Sequence, residues 1–260
     1  MRKRFSRGVS FDFNYTLSKS RDHASEAEFA DSYGGLSTGG VTGFLVNSWD
    51  PKTYYSFSDF DMRHQMNANW YIELPFGRGK PWAANIPGWA DQFIGGWNFA
   101  GLIRLTSRLP ATVGNGRAWP TNWNVTGNAT CKAACPATAT TKNALLGSGE
   151  RRPSIFRDPV AALDAFRRSR PGEAGNRNLL RGDGYFGLDI AVGKRFPLPF
   201  EGHSLQFRWE VFNVTNSVRF DTGSLNMNLG ASAAFGSYTN VLGPPDGAAR
   251  VMQLALRYEF

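Results

Sequence analysis

Val251-Met252-Gln253-Leu254-Ala255-Leu256-Arg257-Tyr258-Glu259-Phe260 alternates at every step. In an extended chain Met252, Leu254, Leu256, Tyr258 and Phe260 fall on one side, and Val251, Gln253, Ala255, Arg257 and Glu259 on the other. One face is apolar and the other mostly polar. The same period of two runs from Gly8 to Lys19, where Val9, Phe11, Phe13, Tyr15 and Leu17 oppose Ser10, Asp12, Asn14, Thr16 and Ser18. It returns between Asp61 and Leu74, where Met66, Ala68, Trp70, Ile72 and Leu74 oppose Arg63, Gln65, Asn67, Asn69 and Glu73, with Tyr71 as an aromatic exception. From Gly96 to Arg108, Trp97, Phe99, Ile103 and Leu105 oppose Asn98, Arg104, Thr106 and Arg108. From Tyr185 to Phe196, Phe186, Leu188, Ile190 and Val192 oppose Asp189 and Arg195; from Ser204 to Asn213, Leu205, Phe207, Trp209 and Val211 oppose Gln206, Arg208 and Glu210.

Six strands are therefore expected, each longer than the ~5–6 residues usual in soluble sheets and close to the ~9–11 that cross a bilayer at a tilt. A soluble sandwich also alternates, but six faces this rich in Phe, Trp, Tyr and Leu would require a very large partner layer. Connector lengths point the same way: long after the first, third and fifth strands, short after the second and fourth. Outer-membrane barrels show this asymmetry, with short periplasmic turns and long extracellular loops. The fold class expected is all-β, an antiparallel transmembrane β-barrel segment. The short turns carry breakers, Pro75-Phe76-Gly77-Arg78-Gly79-Lys80-Pro81 and Pro197-Leu198-Pro199-Phe200-Glu201-Gly202. In the longest loop, Asp158 to Arg168 reads as a short helix with an Asp N-cap and Pro159 at its first position, a surface decoration.

Composition agrees. Of 260 residues 42% are hydrophobic and only 19% charged, which excludes a disordered polyelectrolyte; 14% aromatics and 29 Gly favour strands and turns over helices. No stretch of ~18 apolar residues could form a membrane helix. The basic start, Met1 to Arg7, runs straight into a strand pattern, without the apolar core of a signal peptide. A net charge of +8 would suit nucleic acid, yet the cations are dispersed and no nucleic-acid-binding motif accompanies them, so no nucleic-acid partner is expected.

Enzymatic motifs are missing, and His23, His64 and His203 have no paired nucleophile; no catalytic residue, cofactor or metal site is assigned. Asp59 and Asp61 could hold a cation, but two carboxylates beside a strand start are more often solvated or paired with arginine. Arg181-Gly182-Asp183 sits where a loop enters a strand and is read as a turn rather than an adhesion motif. The sequons at Asn14 and Asn213 fall within or at the end of strands, away from glycan access. Cys131 and Cys135 are expected to form a local disulfide. The polar-face charges Arg63, Glu73, Arg104, Asp189, Arg208, Glu210, Arg257 and Glu259 are expected to point into a lumen, with opposite charges pairing between neighbouring strands. Trp119, Trp123 and Asn124 could stack on a sugar, although interface anchors use the same residues.

The order of several short pieces resembles a known family: Trp49-Asp50-Pro51-Lys52, Ser58-Asp59-Phe60-Asp61-Met62-Arg63-His64, Glu73-Leu74-Pro75-Phe76-Gly77-Arg78-Gly79-Lys80, Gly95-Gly96-Trp97, Asn178-Leu179-Leu180-Arg181-Gly182, Gln206 to Asn213 and Leu256 to Phe260. Together they are similar to the C-terminal barrel of Oar-like TonB-dependent receptors. Tyr258 and Phe260 resemble the C-terminal signal by which outer-membrane proteins reach the barrel-assembly machinery. The resemblance implies a barrel of about 22 strands occupied by an N-terminal plug. The plug, the TonB box and the signal peptide are expected to lie outside these residues. Its partners would be outer-membrane lipid, the rest of the barrel and the plug, the TonB complex through the N-terminal part, and an unidentified ligand. Six strands alone would leave the edges at Gly8–Lys19 and Arg250–Phe260 unpaired, which lipid does not tolerate. The rival readings are a passive channel or structural barrel and a soluble extracellular β-sandwich.

Overall fold

The computed structural model describes residues 1–23, 25, 49–118, 126–170, 173–243 and 249–260. One antiparallel sheet dominates, built from β1 (Arg2–Ser6), β2 (Val9–Leu17), β3 (His64–Glu73), β4 (Trp97–Thr106), β5 (Tyr185–Pro197), β6 (Ser204–Phe212) and β7 (Val251–Glu259). Each strand pairs with its neighbour in sequence, so the sheet is a meander without crossovers.

The register shows why alternation in the sequence becomes two faces in space. Val9 lies opposite Ile72, Ile72 opposite Phe99, Phe99 opposite Val192, Val192 opposite Trp209, and Trp209 opposite Leu254. A row of apolar side chains therefore crosses six strands without interruption. One step along the strands, Ser10, Tyr71, Ala100, Ala191, Glu210 and Gln253 form the corresponding row of the other face. Because the side-chain period is two, a slip of one residue in any strand would exchange the faces.

The apolar face is uncovered: Met252 is 55% exposed, Leu254 70% and Leu256 66%. Val211 alone among the described buried hydrophobic residues belongs to a strand of this seven-stranded sheet. Among the described residues no second sheet packs over this face; the remaining ladders are two-stranded.

On that face Gly101 makes room for an indole. A Cβ at Gly101 would stand 2.2 Å from Trp70 Cζ2, so any larger residue must displace the ring. Gly101→Ala is expected to destabilise the folded sheet by about 1–3 kcal/mol through overpacking. Equilibrium unfolding in lipid vesicles would measure this, and Trp70→Leu should restore most of the loss.

Three features correct the expectations from sequence. The edge at Gly8–Lys19 is not free, because the basic start forms β1 and pairs with β2. The hairpin turns on Arg7 and Gly8, both at positive φ (52° and 77°), as a two-residue turn compatible with strand twist requires. The outer edges are β1 and β7. The connection between β3 and β4 is more than a turn, since it contains helix α1 (Gly88–Ile94). Helix α2 spans only Pro159–Asp164. Asp158 caps it by accepting from the Val160 and Ala161 N–H groups, but Phe166 and Arg167 have left the helix to pair with Thr130 and Cys131. Nor is α2 a surface decoration, because Ala162 and the adjacent Phe166 belong to a core.

That core lies outside the sheet, in the long connections. Ala111, Val113, Ile155, Phe156, Leu180, Phe220, Met227 and Phe235 are among its members, drawn from the connections between β4 and β5 and between β6 and β7. The Phe156 and Phe235 rings stack at 5.7 Å, and Phe220 stacks on Tyr238 at 4.9 Å. Cys131 and Cys135 form a disulfide that packs against this core. The long connections thus fold into one head at one end of the sheet, called here the loop end.

Candidate functional site

The head is fastened by charged residues. Arg177, whose side chain is 6% exposed, reaches back to the first long connection. Its guanidinium pairs with Asp22 at 2.7 Å and Asp59 at 3.2 Å, and donates to Ser25 Oγ at 2.6 Å. Asn178, at a positive φ of 54° that asparagine tolerates better than most residues, turns its side chain to the same place. It donates to Phe57 O at 2.7 Å and to the Asp59 carboxylate, and accepts from Thr112 Oγ1 at 2.7 Å. A cavity of about 230 Å³ lined by Asp59, Thr112, Asn128, Arg177 and Asn178 opens beside this rivet.

Arg181 makes a second fastening. It pairs with Asp61 Oδ2 at 2.7 Å, donates to Asp61 O at 2.9 Å and lies over the Phe57 ring at 4.6 Å. Burial alone would raise the Asp61 carboxyl, but the Ser20 N–H and the Arg181 guanidinium outweigh it and hold its pKa below the ordinary value. Asp22 is likewise lowered, with Ser25 and Arg177 overcoming burial. Asp59 and Asp61 are arginine partners, and Arg181 of the Arg-Gly-Asp triplet is engaged inside the protein.

A third ion pair, Arg167–Glu173, is bidentate, with nitrogen–oxygen distances of 2.7 and 3.0 Å. Glu173 also accepts from the Arg170 N–H at 2.8 Å. The Arg167 hydrogen bond leads in lowering the Glu173 pKa from 4.5 to about 2. With a depressed folded pKa, the contribution of this pair is complete above the ordinary value and is lost as pH falls through about 2. A carboxyl NMR titration should find Glu173 still ionised at pH 3, and Glu173→Gln should remove the stability change between pH 4.5 and about 2. A midpoint near 4.5 would show that the pair does not persist in solution.

The charges expected to face a lumen share the polar face of the sheet, except Arg63, which precedes β3 at the loop end. They pair less across neighbouring strands than expected. Arg208 meets Glu210 at 2.6 Å and Arg257 meets Glu259 at 3.8 Å, both two residues apart on one strand. Glu259 is also reached from β5 by Arg195 at 3.2 Å, over the intervening Ser204, and Glu73 pairs with Lys80 of the adjoining turn at 3.1 Å. Asp189 accepts from the Asn213 N–H at 2.7 Å, and Arg104 lies over the Tyr185 ring at 5.9 Å. The physical reason is the side-chain period: residues two apart on a strand point the same way, whereas Arg208 has Gly193 and Ala255 opposite it.

Tyr258 projects from the apolar face opposite Leu205 and hydrogen-bonds His203, while Phe260 is 93% exposed and stacks on Tyr258 at 6.0 Å. Trp119, Trp123 and Asn124 lie outside the described residues. Reading the sequence did not find Arg177, Asn178 and Asp22 as a unit. They are dispersed in loops, where no periodicity marks a partner.

Residues 1–253 match the family model described as an outer membrane beta barrel domain. No curated protein and no solved structure matches the chain.

Proposed function

The chain belongs to the outer membrane beta barrel domain family and resides in the outer membrane, and from that premise we propose that it is part of the wall and ligand-capturing head of a TonB-dependent, Oar-like receptor. In this reading the apolar rows face lipid, the polar face with Glu73, Arg104, Asp189, Arg208, Glu210, Arg257 and Glu259 lines the lumen, and the loop end is extracellular. The seven sheet strands among the described residues fall short of the ~8 of the smallest single-chain barrels, so further strands would cover the β1 and β7 edges. A plug would fill the lumen and contact TonB, and the barrel-assembly machinery would receive the chain through Tyr258 and Phe260.

The observation that carries the receptor reading is the head. Connections of a purely structural barrel need only return the chain, whereas these are folded around their own core and riveted by Arg177 and Arg181. A rigid surface held above a polar-walled sheet is suited to recognition, and the protein binds and admits without chemistry. The test is conductance of the intact outer-membrane protein in a planar bilayer. A plugged receptor stays closed in buffer, while steady ohmic conductance would replace this reading with a passive channel.

A further inference from the structure

At the end of the sheet away from the head, a charge stands on the apolar face. Lys194 lies two residues beyond Val192 on β5, opposite Trp97 of β4 and Phe207 of β6, whose rings meet edge to face at 6.1 Å. It is only 3% exposed. Its ammonium lies over the Trp97 ring at 5.2 Å and the Phe196 ring at 5.0 Å, and donates to Gly95 O at 2.5 Å. A lysine among apolar rows is costly unless it answers a polar group. The group it answers is the residue that ends helix α1.

Helix α1 is therefore folded against the apolar side of the sheet. The Trp97 indole N–H, from the same face, donates to Phe93 O at 2.7 Å, and the Gly95 N–H donates to Asp91 O at 2.8 Å. Carbonyls at a helix end need no such partners in water, which hydrates them; in a dry surrounding each must be satisfied by the protein. The helix is also tied to its own connection, since Asp91 Oδ1 accepts from the Arg78 N–H at 2.7 Å.

The side that α1 turns outward is apolar. Trp89 and Phe93, four residues apart and so on one side of the helix, are 72% and 71% exposed, while Ala90 is its buried member. Trp82 of the same connection is exposed as well and packs on Phe76 at 5.1 Å. Seven residues are too few to hold a helix in water by propensity alone. Lys194 stands three residues before the end of β5, about 10 Å by strand rise. That depth matches a helix lying in the membrane surface, whose apolar side is buried by about 5–10 Å.

We propose that α1 is a foot lying in the periplasmic leaflet of the outer membrane, with Trp89 and Phe93 among phospholipid chains and with Lys194 and Trp97 holding it to the sheet. The inference rests on the orientation given above, with the loop end outside the cell. Lipid is the occupant because the helix is attached to the apolar face of the sheet, so that its outward side continues the surface formed by the apolar rows.

The test places the photoreactive residue p-benzoylphenylalanine at Phe93 in the intact outer-membrane protein, irradiates cells and identifies the adduct by mass spectrometry, with the same residue at Leu254 of the apolar face as the reference. Both positions should yield phospholipid adducts. Lys194→Met should speed hydrogen exchange at the Gly95 N–H by at least about tenfold, the loss of one charge-assisted hydrogen bond, while β2 amides keep their protection. Heat-dependent gel mobility verifies that each variant is folded.

Lipid adducts at Leu254 with none at Phe93, or an adduct at Phe93 to a protein or to a second copy of this chain, would overturn the foot and leave the lipid-facing sheet intact. No lipid adduct at either position would instead overturn the lipid-facing reading of the sheet. An adduct at Phe93 to lipid A, the acylated disaccharide of the outer leaflet, would overturn the orientation and with it the leaflet. Unchanged exchange at Gly95 in Lys194→Met would overturn the lysine's part in holding the helix.

Discussion

Ile190→Arg is expected to cost about 2–4 kcal/mol of folded-state stability in lipid vesicles, the cost of a basic side chain near the midplane of an outer-membrane barrel. The neighbouring Ala191→Arg is expected to be nearly neutral. Ile190 sits between Gly101 and Val211 on the apolar face, midway along the longest strand, and an arginine there must remain in hydrocarbon or break the ladder to escape. Ala191 sits between Ala100 and Glu210 on the polar face, where a new guanidinium finds a carboxylate already paired with Arg208. Equilibrium unfolding of both variants in the same vesicles separates the faces. Equal costs would mean that the apolar rows do not meet lipid.

The contrast between these adjacent positions could be read from sequence because alternation is a local property. β2 to β7 were all legible, and their register carries every apolar set to one face. β1 was not, since Arg2-Lys3-Arg4-Phe5-Ser6 has almost no apolar member. α1 escaped because it is seven residues long, follows Pro87 and has no side-chain cap. α2 was read too long because the Asp158-Pro159 start is a local cue, while its end is set by Phe166 and Arg167 pairing with Thr130 and Cys131. The head was the least legible part. Val113, Ile155, Phe156 and Phe235 come together from separate connections, and nothing near any one of them announces the others. The partners of the polar-face charges were not legible, because only the register shows that Arg208 faces Gly193 and Ala255.

Arg177 makes the same point with a larger consequence. Arg177→Met keeps most of the volume but leaves the carboxylates of Asp22 and Asp59 without their shared cation. Breaking a buried pair from one side costs about 3–5 kcal/mol, because the remaining charges keep their desolvation without compensation. Asp59 is 42% exposed and can recover water, so the lower part of that range is expected. The loss should be local: the docking of the first long connection on the head depends on Arg177, whereas the sheet register does not. Hydrogen exchange at the Ser58 N–H, which donates to Ser20 O, and at the Asn178 N–H, which donates to Thr112 Oγ1, should accelerate by about a hundredfold, while β5 amides remain unchanged. Adding Asp22→Asn and Asp59→Asn to Arg177→Met removes the stranded charges and should restore part of the protection. If the single variant exchanges like the parent, the head is held by its hydrophobic core alone and the arginine is incidental. Slowed exchange in the triple variant relative to the single one would instead assign the loss to uncompensated charge, not to missing packing.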